Sequence, residues 1–192
     1  MILPILAYGN PILKTRAKDI DENDPQLDDL LKNMWETMYS ANGVGLAAPQ
    51  IGLSIRLFII DTSPFSKEEE ISEEESKDLA SFKKVFINPK IIDQNGKNWD
   101  FNEGCLSIPD VREDVSRKES IKISFLDENF ISQKLVLSGI KARVVQHECD
   151  HIEGILFTDH LSPLKKRILK NKLNNISKGK IDIEYLMKFL NK

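Results

Sequence analysis

The stretch GIKARVVQHECDHIEG, residues 139–154, spaces its apolar and imidazole side chains with the period of a helix. Because an α-helix has about 3.6 residues per turn, residues three or four apart lie on the same face. The residues that share one face are Ile140, Val144, His147, Glu148, His151 and Ile155. The sequence therefore predicts a helix that begins near Gly139, ends near Gly154 and presents two histidines and a glutamate together.

The pattern His-Glu-x-x-His within this helix indicates a metal site. His147 and His151 are four residues apart, so both imidazoles can bind one ion while Glu148 reaches a water molecule at that ion. The same pattern also arises by chance on ordinary helices. A third ligand has to distinguish a metalloprotease, another metal-dependent hydrolase and a non-catalytic domain with a structural metal.

The sequence after this helix lacks the third ligand of two common metalloprotease layouts. One layout requires a histidine at the position of Phe157, and the other requires a glutamate on a following helix, whereas residues 161–180 contain no acidic residue. Asp159 and His160 remain, but they lie beyond the glycine that ends the helix. We expect these two residues to have surface or capping roles.

The segment NEGCLSIP, residues 102–109, offers a thiolate upstream of the helix. A single cysteine is most often an inert, buried thiol, but the absence of another third ligand favours Cys105 as the partner of the two histidines. Cys149 lies two residues from His147 and therefore points to another side of the helix. We expect Cys149 to pack in the core.

Composition limits the other classes of function. The 192 residues fit one domain, 1–192, and a net charge of −3 gives no overall field that would attract DNA or an anionic membrane. No stretch approaches the roughly 18–20 apolar residues that a membrane span needs. Two cysteines do not form a disulfide framework. We expect a cytoplasmic protein that acts on neither DNA nor lipid.

The remaining patterns predict an α+β fold with mainly antiparallel or mixed sheets around the helix that carries the histidines. Apolar residues at helical spacing predict a helix over 25–41, with Pro25 in its first turn. The Gly- and Ala-rich stretch 43–52 predicts a loop. Strands are predicted over 55–60, 84–93, 119–126 and 131–137, and the last two form a hairpin through Asp127-Glu128-Asn129.

Two charged segments are expected to lie at the surface. Residues 67–78 hold seven acidic residues and two lysines, which is typical of a solvated or disordered insertion loop. Residues 162–192 are predicted to form a basic C-terminal helical tail that starts at Ser162-Pro163. Its first part, with seven basic and no acidic residues over 161–180, is most simply a solvated helix face.

Three segments together resemble the signature motifs of bacterial peptide deformylases: GVGLAAPQ at 43–50, EGCLS at 103–107 and QHECDH at 146–151. The resemblance extends from ILPILAYGNPILK near the start to the basic C-terminal helix. It implies a hydrolase that removes the N-formyl group from the N-terminal formylmethionine of new polypeptides and releases formate. N-formylmethionyl nascent chains are then the substrates.

The resemblance assigns roles to individual residues. Cys105, His147 and His151 would bind the metal, and Glu148 would act first as base and then as acid. Gln50, otherwise most simply a surface glutamine, and the Leu106 N–H would stabilise the oxyanion. Such a ligand set suits Zn2+, Fe2+, Co2+ or Ni2+. Resemblance favours Fe2+ as the physiological ion and zinc as a less active substitute.

The resemblance also implies a path for the substrate. The peptide would lie extended along Val44, Gly45 and Gly104. The methionine pocket would be formed by Phe101, Glu103, Ile140, Arg143, Val144 and the ring of His147. Since arginine is unusual in an apolar pocket wall, we expect the stem of Arg143 to pack while its guanidinium stays in water. The basic tail would dock on ribosomal RNA near the nascent-chain exit.

Overall fold

The computed structural model describes residues 1–21, 26–68 and 71–190. Its helices are α1 (Leu27–Ser40), α2 (Glu73–Ser81), α3 (Gly139–Ile152) and α4 (Pro163–Ser177). Its strands are β1 (Ile5–Leu6), β2 (Gly45–Ala47), β3 (Leu57–Asp61), β4 (Lys83–Cys105), β5 (Ile108–Leu126), β6 (Ser132–Ser138) and β7 (Met187–Lys188). Short 3₁₀ helices span Pro11–Lys14, Ala48–Ile51, Ser63–Lys67 and Phe157–His160. Within these described ranges, no helix is both long and apolar enough to cross a bilayer.

The strands form two sheets. Five strands make an antiparallel sheet in the order β2-β3-β4-β5-β6, and β1 pairs with β7 in parallel. Helix α3 packs on the large sheet through Ala142, Val145 and Cys149. The predicted α+β class, with a central helix that carries the histidines and a C-terminal helix, is therefore confirmed.

Strand β3 is apolar on both faces because both faces are covered. Phe58 and Ile60 point into the cluster that includes the residues of α3, while Leu57 and Ile59 point into the cluster that includes those of α1. Such burial on both faces explains the continuous apolar run that predicted this strand. The site helix is thereby anchored to the centre of the fold.

The predicted helix over 25–41 is confirmed over Leu27–Ser40, while Pro25 lies outside the described residues. The predicted tail begins as expected, since the Ser162 hydroxyl accepts a hydrogen bond from Lys165 N at 3.3 Å. However, α4 ends at Ser177, and the chain then returns to pair β7 with β1. A helical tail over 162–192 is therefore wrong in its second half.

Two segments predicted as loops contain regular structure. In the 43–52 stretch, β2 pairs with β3, and Ala48–Ile51 follows as a 3₁₀ helix. In the acidic segment 67–78, α2 begins at Glu73, after a Ser72 cap, and extends past Asp78 to bury Leu79. Residues 69–70 lie outside the described residues. Each segment was misjudged because a cap or a pairing partner compensates for an unfavourable composition.

Strands β4 and β5 are much longer than the predicted 84–93 and 119–126. They pair along most of their length, from Ile87 with Leu126 to Cys105 with Ile108. Trp99, Phe101, Val111 and Val115 alternate there with exposed polar residues, but buried charged residues such as Glu103 and Arg117 interrupt the apolar face and weaken the strand pattern. The extension matters because it brings Cys105 to the end of a strand, where only Leu106 and Ser107 separate β4 from β5.

Candidate metal centre and active site

Two elements bring the three predicted ligands together. Cys105 ends β4, and His147 and His151 lie one turn apart on α3. The ligand atoms of these three residues all lie within 4.8 Å of one another, and Cys105 Sγ is 3.3 Å from His151 Nε2. A thiolate and two imidazoles are a donor set that suits a divalent ion. The group thus fits a metal, as the sequence predicted.

The surroundings of Cys105 favour the deprotonated thiolate. Burial alone would raise the pKa of this thiol, but the imidazoles of His151 and His147 outweigh burial and lower the pKa to about 5. Because the thiolate is the form that binds metals, the histidines favour the state that an ion requires.

Glu148 has an acceptor atom with no protein partner. Its side chain is 4% exposed, and its Oε2 atom has no hydrogen-bond partner among the described residues. Burial raises the pKa of this carboxyl to about 7, against the opposing effect of the two imidazoles. A carboxylate with a pKa near neutrality and a free lone pair can accept a proton from water and return it later.

Gln50 is buried rather than exposed in a surface loop. Its Oε1 atom accepts a hydrogen bond from Ala47 N at 2.8 Å. Its Nε2 atom lies 3.3 Å from Ser107 Oγ and 3.6 Å from Cys105 Sγ. Because the oxygen is occupied by the backbone, the NH2 group faces the proposed ligand sulfur. The amide is therefore a donor fixed beside the centre.

Glu103 holds His147 in one orientation. His147 Nδ1 donates to Glu103 Oε2 at 2.9 Å, and Arg117 and Arg143 donate to the same carboxylate at 2.6 and 2.9 Å. Burial would raise the pKa of Glu103, but these hydrogen bonds, from His147 first, hold it well below its usual range. With Nδ1 donating to a carboxylate, Nε2 of His147 is left for an ion.

The guanidinium of Arg143 is not in water, so that part of the prediction is wrong. Arg143 is 1% exposed, and it donates to Glu103, to Val115 O at 2.9 Å and to Trp99 O at 2.7 Å. Its guanidinium also lies over the Trp99 ring, 4.5 Å from the ring centroid. A carboxylate and two carbonyls replace the lost hydration, which makes the burial tolerable.

A cavity of about 520 Å³ opens beside these groups. It is lined by seven of the eight predicted substrate residues, namely Val44, Gly45, Phe101, Glu103, Gly104, Arg143 and Val144. Ile140 does not line it and packs against the core instead. Gln50, Cys105, Leu106, His147 and Glu148 also line the cavity.

Other predicted residues have structural surroundings. Cys149 is buried in the core, and burial raises the pKa of its thiol, which keeps it neutral. Asp159 Oδ2 accepts from Leu156 N at 2.7 Å, as a capping residue does, and His160 Nε2 contacts Asp150 Oδ2 at 2.7 Å. Neither Asp159 nor His160 belongs to the group of three ligands.

Sequence reasoning missed Arg117, Ser107 and Tyr185. Arg117 contacts both Glu103 and Asp150, Ser107 contacts Gln50, and the Tyr185 hydroxyl donates to Leu106 O at 2.6 Å. Arg117 and Tyr185 lie in no motif, and Ser107, the last residue of EGCLS, received no role of its own because its partner Gln50 is remote in sequence. Only the pairing of β4 with β5 and the return of the C-terminal segment reveal them.

Comparison with known proteins agrees with this geometry. The family model described as polypeptide deformylase matches residues 2–167. The chain belongs to the polypeptide deformylase family. A peptide deformylase of Christiangramia forsetii is 61% identical over 191 residues, and the alignment covers 100% of this chain and 97% of that protein. One from Flavobacterium johnsoniae is 56% identical, with 98% and 96% covered.

Solved deformylase structures share the fold. A crystal structure of a peptide deformylase from Legionella pneumophila has a TM-score of 0.79 and 37% identity, and the match covers 94% of this chain and 98% of that one. An Arabidopsis thaliana deformylase 1B structure also has a TM-score of 0.79, at 33% identity, with 93% and 92% covered. The family is one of metal-dependent enzymes that remove the N-formyl group from new polypeptides.

Proposed function

We propose that Cys105, His147 and His151 bind one divalent ion and that the chain uses this centre to remove the N-formyl group from formylmethionine at the start of new polypeptides. The reaction follows from family membership. The residue assignment rests on one observation: the three ligand atoms lie within 4.8 Å of one another, beside the buried carboxylate of Glu148.

The chain's own residues would move the protons and hold the charge. An ion held by Cys105, His147 and His151 would supply Lewis acidity at the formyl carbonyl and at the attacking water. Glu148 takes a proton from the attacking water, and the Gln50 amide and the Leu106 N–H donate to the oxygen that becomes negative. As the carbon–nitrogen bond breaks, Glu148 gives its proton to the amine, and formate leaves.

The cavity supports an extended substrate. Gly45 and Gly104 line it, with Val44 beside Gly45, and would contact the peptide backbone. The methionine side chain would lie between Phe101, Val144 and the His147 ring, all of which also line the cavity. Arg143 contributes its stem and stacked guanidinium as a wall of this pocket. Ile140 supports the wall from the core rather than contacting methionine.

Formate release from formyl-Met-Ala-Ser tests the function directly, with acetyl-Met-Ala-Ser as the matched control. We expect one formate and one free amine for each formyl peptide consumed, and little cleavage of the bulkier acetyl group. Protein stripped of metal should regain activity when the ion is restored. A folded preparation with one ion per chain that releases no formate would refute the proposal.

We further propose that the physiological ion is Fe2+, with Zn2+, Ni2+ or Co2+ able to replace it. A thiolate with two imidazoles accepts all of these ions, and the thiolate makes a ferrous centre sensitive to oxygen. The iron-loaded enzyme should lose activity in air, while nickel- or cobalt-loaded protein retains it. Equal and air-stable activity with zinc would contradict the assignment of iron.

The exposed basic face of α4 supports a proposal that the enzyme works in the cytoplasm, docked on ribosomal RNA. Arg167, Lys170 and Lys178 are exposed on or just after this helix. Reversing these three charges should abolish salt-dependent co-sedimentation with ribosomes. The matched control reverses Lys90, Lys122 and Lys134, which are exposed on the sheet. An equal loss in both variants, or in neither, would argue against docking through α4.

A further inference from the structure

Tyr185, in the C-terminal segment after α4, reaches the active-site cavity. Its ring is one of the walls of the cavity, and its hydroxyl donates a hydrogen bond to the carbonyl oxygen of Leu106 at 2.6 Å. Leu106 directly follows the proposed ligand Cys105 and offers the backbone N–H that we assign to the oxyanion. A residue about eighty positions away in sequence thus contacts the reacting end of the cavity.

The position of Tyr185 is fixed by the small parallel sheet. Two residues further on, β7 pairs with β1, and Ile5 N donates to Leu186 O at 2.9 Å. Ala7 N donates to Lys188 O at the same distance. Tyr185 and Met187 also pack against an apolar cluster of the core. The pairing of β7 with β1 and the packing of the Tyr185 ring therefore fix the position of the Tyr185 hydroxyl.

The turn that carries Leu106 depends on contacts from outside its own hairpin. A Cβ atom at Gly43 would lie 2.8 Å from Leu106 Cδ1, so the leucine side chain is packed directly against that glycine. Tyr8 N donates to Ser107 O at 2.8 Å. Tyr185 adds the hydrogen bond to Leu106 O. Together these contacts determine which way the backbone of Leu106 faces.

The surroundings of Tyr185 favour the protonated form of its hydroxyl. Burial raises the pKa of the Tyr185 hydroxyl, and the charges of Cys105 and Asp110 raise it further. The hydroxyl is therefore protonated at neutral pH and can donate its hydrogen bond to Leu106 O. An acceptor that is a backbone carbonyl cannot compete for that proton.

We propose that Tyr185 is a positioning residue of the deformylation reaction: by holding the Leu106 carbonyl, it keeps the Leu106 N–H aimed at the developing oxyanion. The inference rests on the proposed function of Leu106. Donors stabilise a transition state only when they are fixed in advance, and small displacements of such groups reduce the rate strongly. Tyr185 acts through Leu106 and needs no contact with the substrate.

The test is Tyr185→Phe in the full-length, zinc-loaded protein. Phenylalanine keeps the ring and its packing and removes only the donor. We expect kcat for formyl-Met-Ala-Ser to fall about tenfold, with KM changed less than about twofold, because a transition-state contact is loosened and substrate binding is not. Exchange of the Leu106 amide hydrogen, measured by NMR, should become about tenfold faster.

Tyr39→Phe is the matched control, since it deletes a hydroxyl that donates to Asp61 Oδ2 at the same distance of 2.6 Å but does not line the cavity. This variant should keep kcat and Leu106 exchange at the level of the unchanged protein. The proposal is overturned if Tyr185→Phe alters neither quantity, or if both variants lower kcat equally. If the unchanged protein releases no formate, the function fails, whereas the exchange rates still decide whether Tyr185 holds Leu106.

Discussion

Glu148 and Gln50 acquire their chemistry from their neighbours rather than from residue type. The pKa of Glu148 lies near neutrality because burial opposes its charge, and the Gln50 NH2 is directed because Ala47 N occupies its oxygen. Cys105 shows the opposite balance, in which two imidazoles overcome burial and favour the thiolate. At this scale the site consists of ordinary side chains in unusual surroundings.

Glu148→Gln is expected to abolish deformylation while leaving metal content intact. The amide keeps the shape of the side chain but cannot accept a proton, and general acid–base catalysis contributes about 10²–10⁴-fold to a rate. Formate release and metal analysis on the same preparation provide the measurement. An active variant would show that the base lies elsewhere, and a variant without metal would show that Glu148 holds the ion.

Asp61 provides a pH test that is independent of the metal. Burial would raise the pKa of this carboxyl, but hydrogen bonds from Tyr39 and Ser63 outweigh burial and lower it. A lowered folded-state pKa stabilises the protein above the unfolded-state pKa, and that contribution is lost as pH falls through the folded-state value. The charged form of Asp61 should therefore stabilise the fold above about pH 4 and lose that effect in acid.

Asp61→Asn should accordingly lower the free energy of unfolding by about 1–2 kcal/mol at pH 7. The difference from the unchanged protein should narrow below about pH 4, where the carboxyl gains a proton. Urea denaturation at pH 7 and at pH 3 measures both differences. A difference in the free energy of unfolding that stays constant or grows between pH 7 and pH 3 would contradict the stabilising role of the Asp61 charge.

The contact between β2 and α3 sets the position of the base. Gly45 is buried on β2, and a Cβ atom there would lie 2.3 Å from Glu148 Oε1. Any side chain at this position must displace the carboxylate, since the β2 backbone is held by pairing with β3. The glycine thus allows β2 to lie close to the carboxylate on α3.

Gly45→Ala is expected to lower kcat by about 100-fold, because misplacing a catalytic group by about 1 Å has effects of that size. Metal content should not change, since the three ligands lie on β4 and α3. Gly43 is no control, because a side chain there would push against Leu106. Steady-state kinetics measure kcat, and metal analysis measures the metal content. An alanine variant with unchanged kcat would show that Glu148 tolerates displacement.

The sequence predicted elements well where one period dominated. Helices α1 and α3 and strand β3 follow from apolar spacing, and the ligands Cys105, His147 and His151 follow from chemistry and elimination. The long arms of β4 and β5 were missed because buried charged residues, Glu103 and Arg117, interrupt the apolar side of their alternating pattern. The burial of Arg143 was missed because its partners, Trp99 O, Val115 O and Glu103, come from two strands that only pairing brings together.

Across the whole molecule, a buried polar network links the metal centre to the C-terminal half. His147 donates to Glu103, Arg117 bridges Glu103 and Asp150, and Asp150 contacts His160. The network joins β4, β5, α3 and the 3₁₀ helix before α4. Because Glu103, Arg117 and Arg143 are buried, removing the charge of Glu103 leaves two guanidinium groups buried and without their acceptor.

Glu103→Gln should therefore act on both stability and metal binding. We expect a loss of about 3–5 kcal/mol in the free energy of unfolding. We also expect about 10–100-fold weaker zinc binding, because His147 loses its charged acceptor. The matched control is Glu113→Gln, which breaks the exposed Lys165–Glu113 pair and should cost about 0–1 kcal/mol. Chelator competition measures zinc affinity, and urea denaturation measures the free energy of unfolding. Equal losses in the two variants would refute the role of the network.

The central claim is that one sulfur from the end of β4 and two nitrogens from α3 share a single ion and leave room for one more ligand. X-ray absorption spectroscopy of zinc-loaded protein measures this directly. The account predicts one sulfur at about 2.3 Å, two imidazole nitrogens at about 2.0–2.1 Å and one non-protein ligand. A spectrum with no sulfur, or with four ligands from the protein, would contradict it.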